Sequence, residues 1–348
     1  MMKGITLTEL AQKIEANKAG KKDMLADTRS IKMLTESVDT PELFLEDQGR
    51  FPIQPTTHSQ ISEYLGIPGK YYDRMRTESP RLLAENVNTW LGKRSDTRMV
   101  RTLRGNARAF LSNSYNRIEN EEIAEVALPI LLNLPGIEVV SAEVTERRMY
   151  IQATTTRLYG EVKKGDVVQA GVVISNSEIG YGAASVAALD WRLACLNGMI
   201  SAQKFRAYHV GRRIEDNAAL WSQETLRADD RAVLLKVRDM VKAAVDEVEF
   251  TKRLGRMKEL AGEAKITGDP TVAVKVLSAK VGANETEQGS ILRALIEGGD
   301  LSAWGMINAV TAQGHTARNY DRAVEFETAG GNLIDLPNTE WKAILQAA

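Results

Sequence analysis

Between Gly171 and Arg213 the chain reads as three strands in succession, and this stretch limits the fold more than any other. From Leu189 to Cys195 the odd positions are Leu, Trp, Leu and Cys, with Asp190 and Arg192 between them. A period of two belongs to a strand with one buried face. Asn197-Gly198 follows, a dipeptide that supplies the positive φ angles of a two-residue type I′ turn. Counting outward from that turn sets Leu196 against Met199, Trp191 against Lys204 and Leu189 against Arg206. Gly180 and Gly182 precede the hairpin as a bare G-x-G. With no third glycine and no helix behind it, the pattern fails as a dinucleotide fingerprint. The glycines instead permit close approach of the backbone to a strand or to a ligand.

Three regions surround this hairpin. Residues 1–95 open with an amphipathic segment (Leu7, Leu10, Ala11, Ile14) that fades into Ala19–Asp23, then give strand-like runs at Ser30–Leu34 and Leu43–Leu45. Three short helices are expected from Thr56 to Leu91, with Gly66 breaking the first and Pro68 opening the second. Their spacing suggests a helix-turn-helix, but the second helix begins Pro-Gly-Lys-Tyr-Tyr. It lacks the early Arg, Asn or Gln that reaches base edges, and a packing unit is the better reading. Residues 96–213 carry the sheet: a hairpin over Thr97–Ser112, a helix over Glu121–Leu134, and strands at Ile137–Val144, Met149–Arg157 and Val167–Ser175. Residues 214–348 are helical, with an apolar stripe over Ala228–Val248 and starts marked by Asp269-Pro270, the Asn284/Glu287 capping box and Asp300. The expected class is α+β: a central, mostly antiparallel sheet with basic hairpins, a region of short helices before it and a helical region after it.

Charge sharpens the question of function. Lys plus Arg number 45 and Asp plus Glu 46, so the whole chain is no generic polyanion binder. From Lys93 through Arg117, however, seven basic residues face a single acid, Asp96. Arg98, Arg101, Arg104 and Arg108 lie on the expected hairpin and Arg117 just beyond it. A second basic run follows Asn197-Gly198, with Lys204, Arg206, Arg212 and Arg213. Amines meet phosphates and rings stack on bases, so these residues, with Tyr115, Trp191 and Tyr208 as stacking platforms, suit a single-stranded nucleic acid. The alternative is a solvated hairpin whose arginines pair with Glu119, Glu121 and Glu122.

No catalytic residue, metal site or cofactor is expected. The chain has no Walker A pattern, HExxH, GxSxG, CxxC or EF-hand loop, and its three histidines are far apart. His315 reads as structural, and Glu178 and Asp190 would meet at a metal only through tertiary coincidence. Cys195, the one cysteine, is expected to be buried and inert. It excludes an internal disulfide, which suits a reducing, cytoplasmic setting. Neither a signal peptide nor a membrane span is expected.

Three segments carry a resemblance to a known family. Gly66-Ile67-Pro68, then Tyr115, Ile118 and Asn120, then Gly182 and Cys195-x-Asn197-Gly198 stand where a phage and plasmid family, domain of unknown function 932, has its pattern. The resemblance spans roughly residues 55 to 320 and implies a mobile-element origin without implying catalytic residues. Its association with replication and recombination genes makes DNA transactions an expectation. A sheet with basic hairpins and a flanking helix is also how phage annealing proteins hold single-stranded DNA, as rings or filaments. Two functions are therefore expected to compete. One is an oligomeric single-stranded DNA-binding protein aiding annealing, recombination or replication. The other is an interaction module that blocks or recruits a host protein.

Overall fold

A computed structural model describes residues 2–35, 41–207, 223–243, 245–262 and 264–347. Thr6 and Glu9 form a capping box at the start of α1 (Leu7–Gly20), whose buried stripe is Leu10 and Ile14. The chain then passes directly into β1 (Lys21–Asp27), a strand where the sequence suggested only a fading helix. A small antiparallel sheet follows, made of β2 (Ile31–Leu34), β3 (Glu42–Leu45) and β4 (Gly49–Pro52). The three expected helices are α2 (Pro55–Leu65), α3 (Gly69–Glu78) and α4 (Pro80–Gly92). Ile61, Tyr72, Leu83 and Val87 from these helices close a core over Ile31, Leu43 and Leu45.

The basic hairpin forms as β5 (Thr97–Leu103) and β6 (Asn106–Ser112), with Arg104 and Gly105 at φ 51° and 80° in its turn. β1 pairs with the free edge of β5, setting Asp23 opposite Arg101, so this sheet takes its third strand from the first region. A helix, α5 (Asn120–Asn133), then begins at a Glu119/Glu122 capping box.

Five strands follow in sequence order as an antiparallel meander: β7 (Ile137–Val144), β8 (Met149–Lys163), β9 (Asp166–Asn176), β10 (Ala184–Arg192) and β11 (Asn197–Ala207). The remaining helices are α6 (Gln223–Ala243), α7 (Glu247–Gly262), α8 (Pro270–Lys280), α9 (Glu285–Gly298), α10 (Ala303–Ala312), α11 (Tyr320–Ile334) and α12 (Asn338–Leu345). The class is α+β, with antiparallel sheets. Among the described residues, no helix is long and apolar enough to cross a membrane.

Helices cover both faces of the meander. On one face Ile151, Ala153, Val172, Ile174 and Val186 meet Leu10 of α1, Ile123 and Leu131 of α5, and Val237 and Val241 of α6. On the other, Tyr150, Val173, Ala187, Leu189 and Ile200 meet Tyr320 and Val324 of α11. This double cover explains why the first half of β8 and most of β9 are buried on both faces. The stripe expected through Val248 ends earlier, because α6 stops at Ala243 and Val248 is exposed on α7.

The β10–β11 connection corrects the expected hairpin. Arg192 pairs with Asn197, so the link is the four residues Leu193–Leu196, with Leu196 at φ 52°. Trp191 then faces Gly198, and Leu189 faces Ile200, where the two-residue turn had placed Lys204 and Arg206. Packing explains why Asn197 and Gly198 are drawn into the strand. Asn197 Nδ2 donates to Thr311 Oγ1, and His315 Nε2 donates to Asn197 Oδ1 at 2.7 Å. A side chain at Gly198 would come within 2.9 Å of Leu189 and 3.3 Å of the Glu327 carboxyl. Close approach, not turn geometry, is what this glycine serves. Cys195 falls in the connection and is exposed, contrary to expectation.

Candidate functional site

Two of the hairpin arginines do not reach solvent. Arg101, 1% exposed, sends Nε to Asp23 Oδ1 at 2.8 Å, Nη2 to Glu119 and Nη1 to the Glu178 carbonyl. Arg108, 6% exposed, sends Nη1 to Glu178 Oε2 at 2.8 Å. Lys21 completes the network: its ammonium donates to Glu178, to Glu119 at 3.0 Å and to Glu121 at 2.7 Å. The charges support one another through the low-dielectric interior. Burial pulls the Lys21 pKa down, yet Glu178 and Glu119 together hold it above its ordinary value. Burial pushes Glu178 up, and Arg108 and Lys21 outweigh it, keeping that carboxyl ionised well below the usual range.

Of the expected acid pairs only Arg101 with Glu119 forms; the network is buried, not solvated, and draws in Lys21, Asp23 and Glu178, which the sequence left unconnected. Arg101 and Arg108 are thus corrected from phosphate contacts to buried partners of carboxylates. Arg117 is half-exposed and donates to Asp23 at 2.9 Å. Arg98 lies over the Tyr64 ring at 4.2 Å and beside Phe110, and Arg104 stands exposed at the hairpin tip. The stacking assignments for two residues also change. Trp191 is buried against α11, and Tyr115 packs beside Leu111 and Ile179 while its hydroxyl donates to the Ser177 carbonyl. The Lys204 side chain and Tyr208, Arg212 and Arg213 lie outside the described residues.

Glu119, Glu121 and Glu178 place carboxylate oxygens within 4.8 Å of one another, the spacing of a cation site. Lys21 supplies that cation, since it donates to all three. Asp190 is buried and held by both arms of Arg253 of α7, at 2.8 and 2.9 Å.

A cleft of about 620 Å³ opens instead between the meander and α11. Ser175 and Ser185, hydrogen-bonded at 2.9 Å, form its sheet side with Tyr150 and Val173. Asp321, Thr328 and Asn332 form its helix side, and Lys280, which ends α8 at the rim, pairs with Glu340 at 2.6 Å. The β7–β8 turn adds Arg147 and Arg148. Arg148 Nε donates to the Tyr181 carbonyl at 2.9 Å, and Arg147 lies 5.0 Å over the Tyr181 ring. Neither guanidinium has a carboxylate partner among the described residues. Gly182 permits this arrangement: it sits at φ 127°, and a side chain there would overlap Arg148 Nη2. The exposed Arg206 stands opposite Ser185 in the β10–β11 ladder, so it leaves the sheet on the cleft face.

The acids of the cleft are largely committed. Asp321 accepts from the Tyr150 hydroxyl at 2.9 Å and from Thr145 at 3.0 Å, and Glu325 pairs with Arg322 at 2.7 Å. Beneath the cleft Glu327 is fully buried, with Oε2 accepting from Gln152 Nε2 at 2.9 Å and Oε1 unpartnered. Burial pushes its carboxyl up to about 7, against the Gln152 hydrogen bond. Gly331 holds α11 close to the sheet, since a Cβ there would fall 1.9 Å from the Ile200 carbonyl oxygen. Sequence reading missed Arg147 and Arg148. Their signal was an adjacent basic pair in a tight strand-to-strand turn, masked by the larger count of arginines upstream.

A family model described as Domain of unknown function (DUF932) matches residues 109–329, which include the meander, most of α11 and the whole Arg147–Arg148 turn. No curated protein and no solved structure matches the chain.

Proposed function

We propose that this chain, which belongs to the DUF932 family, binds single-stranded DNA in the cleft between the meander and α11, without catalysing a reaction. The observation that carries this reading is the convergence of Arg147, Arg148 and the Tyr181 ring on one cleft of about 620 Å³. Paired cations beside an aromatic ring meet the two needs of a single strand, neutralised phosphates and a face for the bases. The serine and asparagine groups along the walls accept or donate to any base, so the chemistry favours sequence-tolerant binding. A basic patch in a chain of net charge −1 acts locally. The proposed path therefore differs from the sequence expectation, in which the strand followed the Arg98–Arg108 hairpin and the Lys204–Arg213 segment.

The test is fluorescence anisotropy with a labelled single-stranded oligonucleotide over a salt series, with duplex as control. Binding should prefer the single strand and weaken as salt rises. Arg147→Ala should flatten the log–log salt slope by about 0.7, one phosphate contact on a single strand. Tyr181→Ala should cost about 1–3 kcal/mol, the worth of one stacked base. Absence of binding at low salt would remove the reading and turn the search to a protein partner.

A further inference from the structure

We propose that Glu327 carries a proton in the folded protein and acts as a pH-sensitive latch, seating α11 on the meander and with it the helix wall of the cleft. The latch stands on its own residues, while its control of strand binding rests on the single-strand reading of the cleft.

The surroundings of Glu327 leave its charge unanswered. The side chain is 0% exposed, as is Gln152 of β8, whose Nε2 donates to Glu327 Oε2 at 2.9 Å. Glu327 Oε1 is buried with no partner among the described residues, and so is Gln152 Oε1. The ion pairs of α11 among those residues are those of Arg322 with Glu287 and Glu325, and Glu327 shares in neither. An ionised carboxylate shut away from water without a cation is among the costliest groups to bury, and it takes up a proton instead. That proton removes the charge and supplies a donor where two oxygens lack one. Glycines, not donor side chains, wall the free oxygen. A Cβ at Gly198 of β11 would lie 3.4 Å from Oε1, and one at Gly314, after α10, 3.9 Å from it.

Few other groups bear on this balance. β8 and β11 present Gln152, Gly198 and Met199, none of them titratable, and α10 presents Thr311 to Gly330. His315, next to Gly314, directs Nε2 at the Cys195 carbonyl and Asn197 Oδ1. Tyr320, two turns earlier on α11, bonds Ser141 of β7. Burial is the largest influence on the Glu327 carboxyl and lifts it to about 7, against the Gln152 hydrogen bond and the charge of the amino terminus.

The latch sits where the cleft would feel it. Val324, Thr328 and Ala329, on either side of Glu327 in sequence, line the cleft. Gly330 and Gly331 bring the same helix against Thr311 and the Ile200 carbonyl. A charge created at Glu327 needs water or a cation, and either requires α11 to part from β8 and β11. The sign is that of a raised acid. The latch holds fully below the ordinary value of 4.5, weakens as pH rises, and is lost above about 7.

Hydrogen exchange of the intact, DNA-free protein tests the latch, read on peptides from 320–334 and corrected for the intrinsic effect of pH. Opening should rise by at least about tenfold from pH 5 to pH 8 and level off above that. Glu327→Gln keeps the shape and cannot ionise, so its opening should stay at the low-pH level throughout. Gln152→Met removes the hydrogen bond that favours the charged form and should carry the rise to higher pH. Exchange that ignores pH in the wild type would overturn the proposal. So would a pH response that survives Glu327→Gln, which would belong to another group such as His315. A labelled single-stranded oligonucleotide then reads the regulatory role. Wild-type affinity should be at least about threefold weaker at pH 8 than at pH 5, and that of Glu327→Gln the same at both. Equal wild-type affinity at the two values would overturn that role. No binding at either would remove the cleft reading and the role together, while exchange still decides the latch.

Discussion

Replacing Arg101 with glutamate would take from Asp23 and Glu119 the buried guanidinium they share, leave them only Arg117 and Lys21, and set a third carboxylate among them. Breaking such a pair costs about 3–5 kcal/mol, so Arg101→Glu should lower the chemical-denaturation midpoint sharply before any question of DNA arises. Glu327 offers a subtler test at the same scale. Its folded carboxyl titrates near 7, against an ordinary value of 4.5. A raised acid stabilises the fold fully below the ordinary value and loses that contribution as pH rises through 7. The difference corresponds to about 3 kcal/mol. Glu327→Gln should therefore raise the melting temperature at pH 8 and leave it nearly unchanged at pH 4, and equal shifts at both would contradict the assignment. Residue types were legible here, but their surroundings were not. Nothing near Arg101 in sequence announces Asp23, which comes from a strand 78 residues away.

Turn chemistry and capping made most elements readable. Gly66, the Asn284/Glu287 box and Asp269-Pro270 all fall where local rules place them. Asn197-Gly198 misled because the same residues serve a different need, the approach of Glu327 and His315 to β11. β1 went unread because Lys21–Asp27 buries little, and its pairing with β5 is a long-range contact that no local pattern encodes. Helix α11 sets the width of the cleft, and its Gly331 allows the contact with β11. Gly331→Ala should force the helix away from the Ile200 carbonyl and cost about 1–3 kcal/mol in stability, as overpacked sites do. The same variant should weaken oligonucleotide binding. An unchanged denaturation midpoint would show that the helix has room the geometry denies it.

At the scale of the molecule, an almost neutral chain separates two uses of its basic residues. One group is buried with acids where β1, the β5–β6 hairpin, α5 and the β9–β10 turn meet, and serves the fold. The other, Arg147 and Arg148, borders the cleft, with Arg206 opposite Ser185 on the same face of the sheet. The α+β class followed from periodicity and turn signals, and family membership from the Tyr115–Asn120 and Cys195–Gly198 segments. The cleft could not be read in the same way. It exists only once α11, some 120 residues beyond β10 and β11, crosses the sheet. The most direct test of its role is ultraviolet cross-linking of a single-stranded oligonucleotide to the intact protein, followed by peptide mapping. Cross-links in 145–152, 180–187 and 320–332 are the predicted result. Cross-links confined to the 97–112 hairpin, or none at all, would contradict the cleft as the path of the strand.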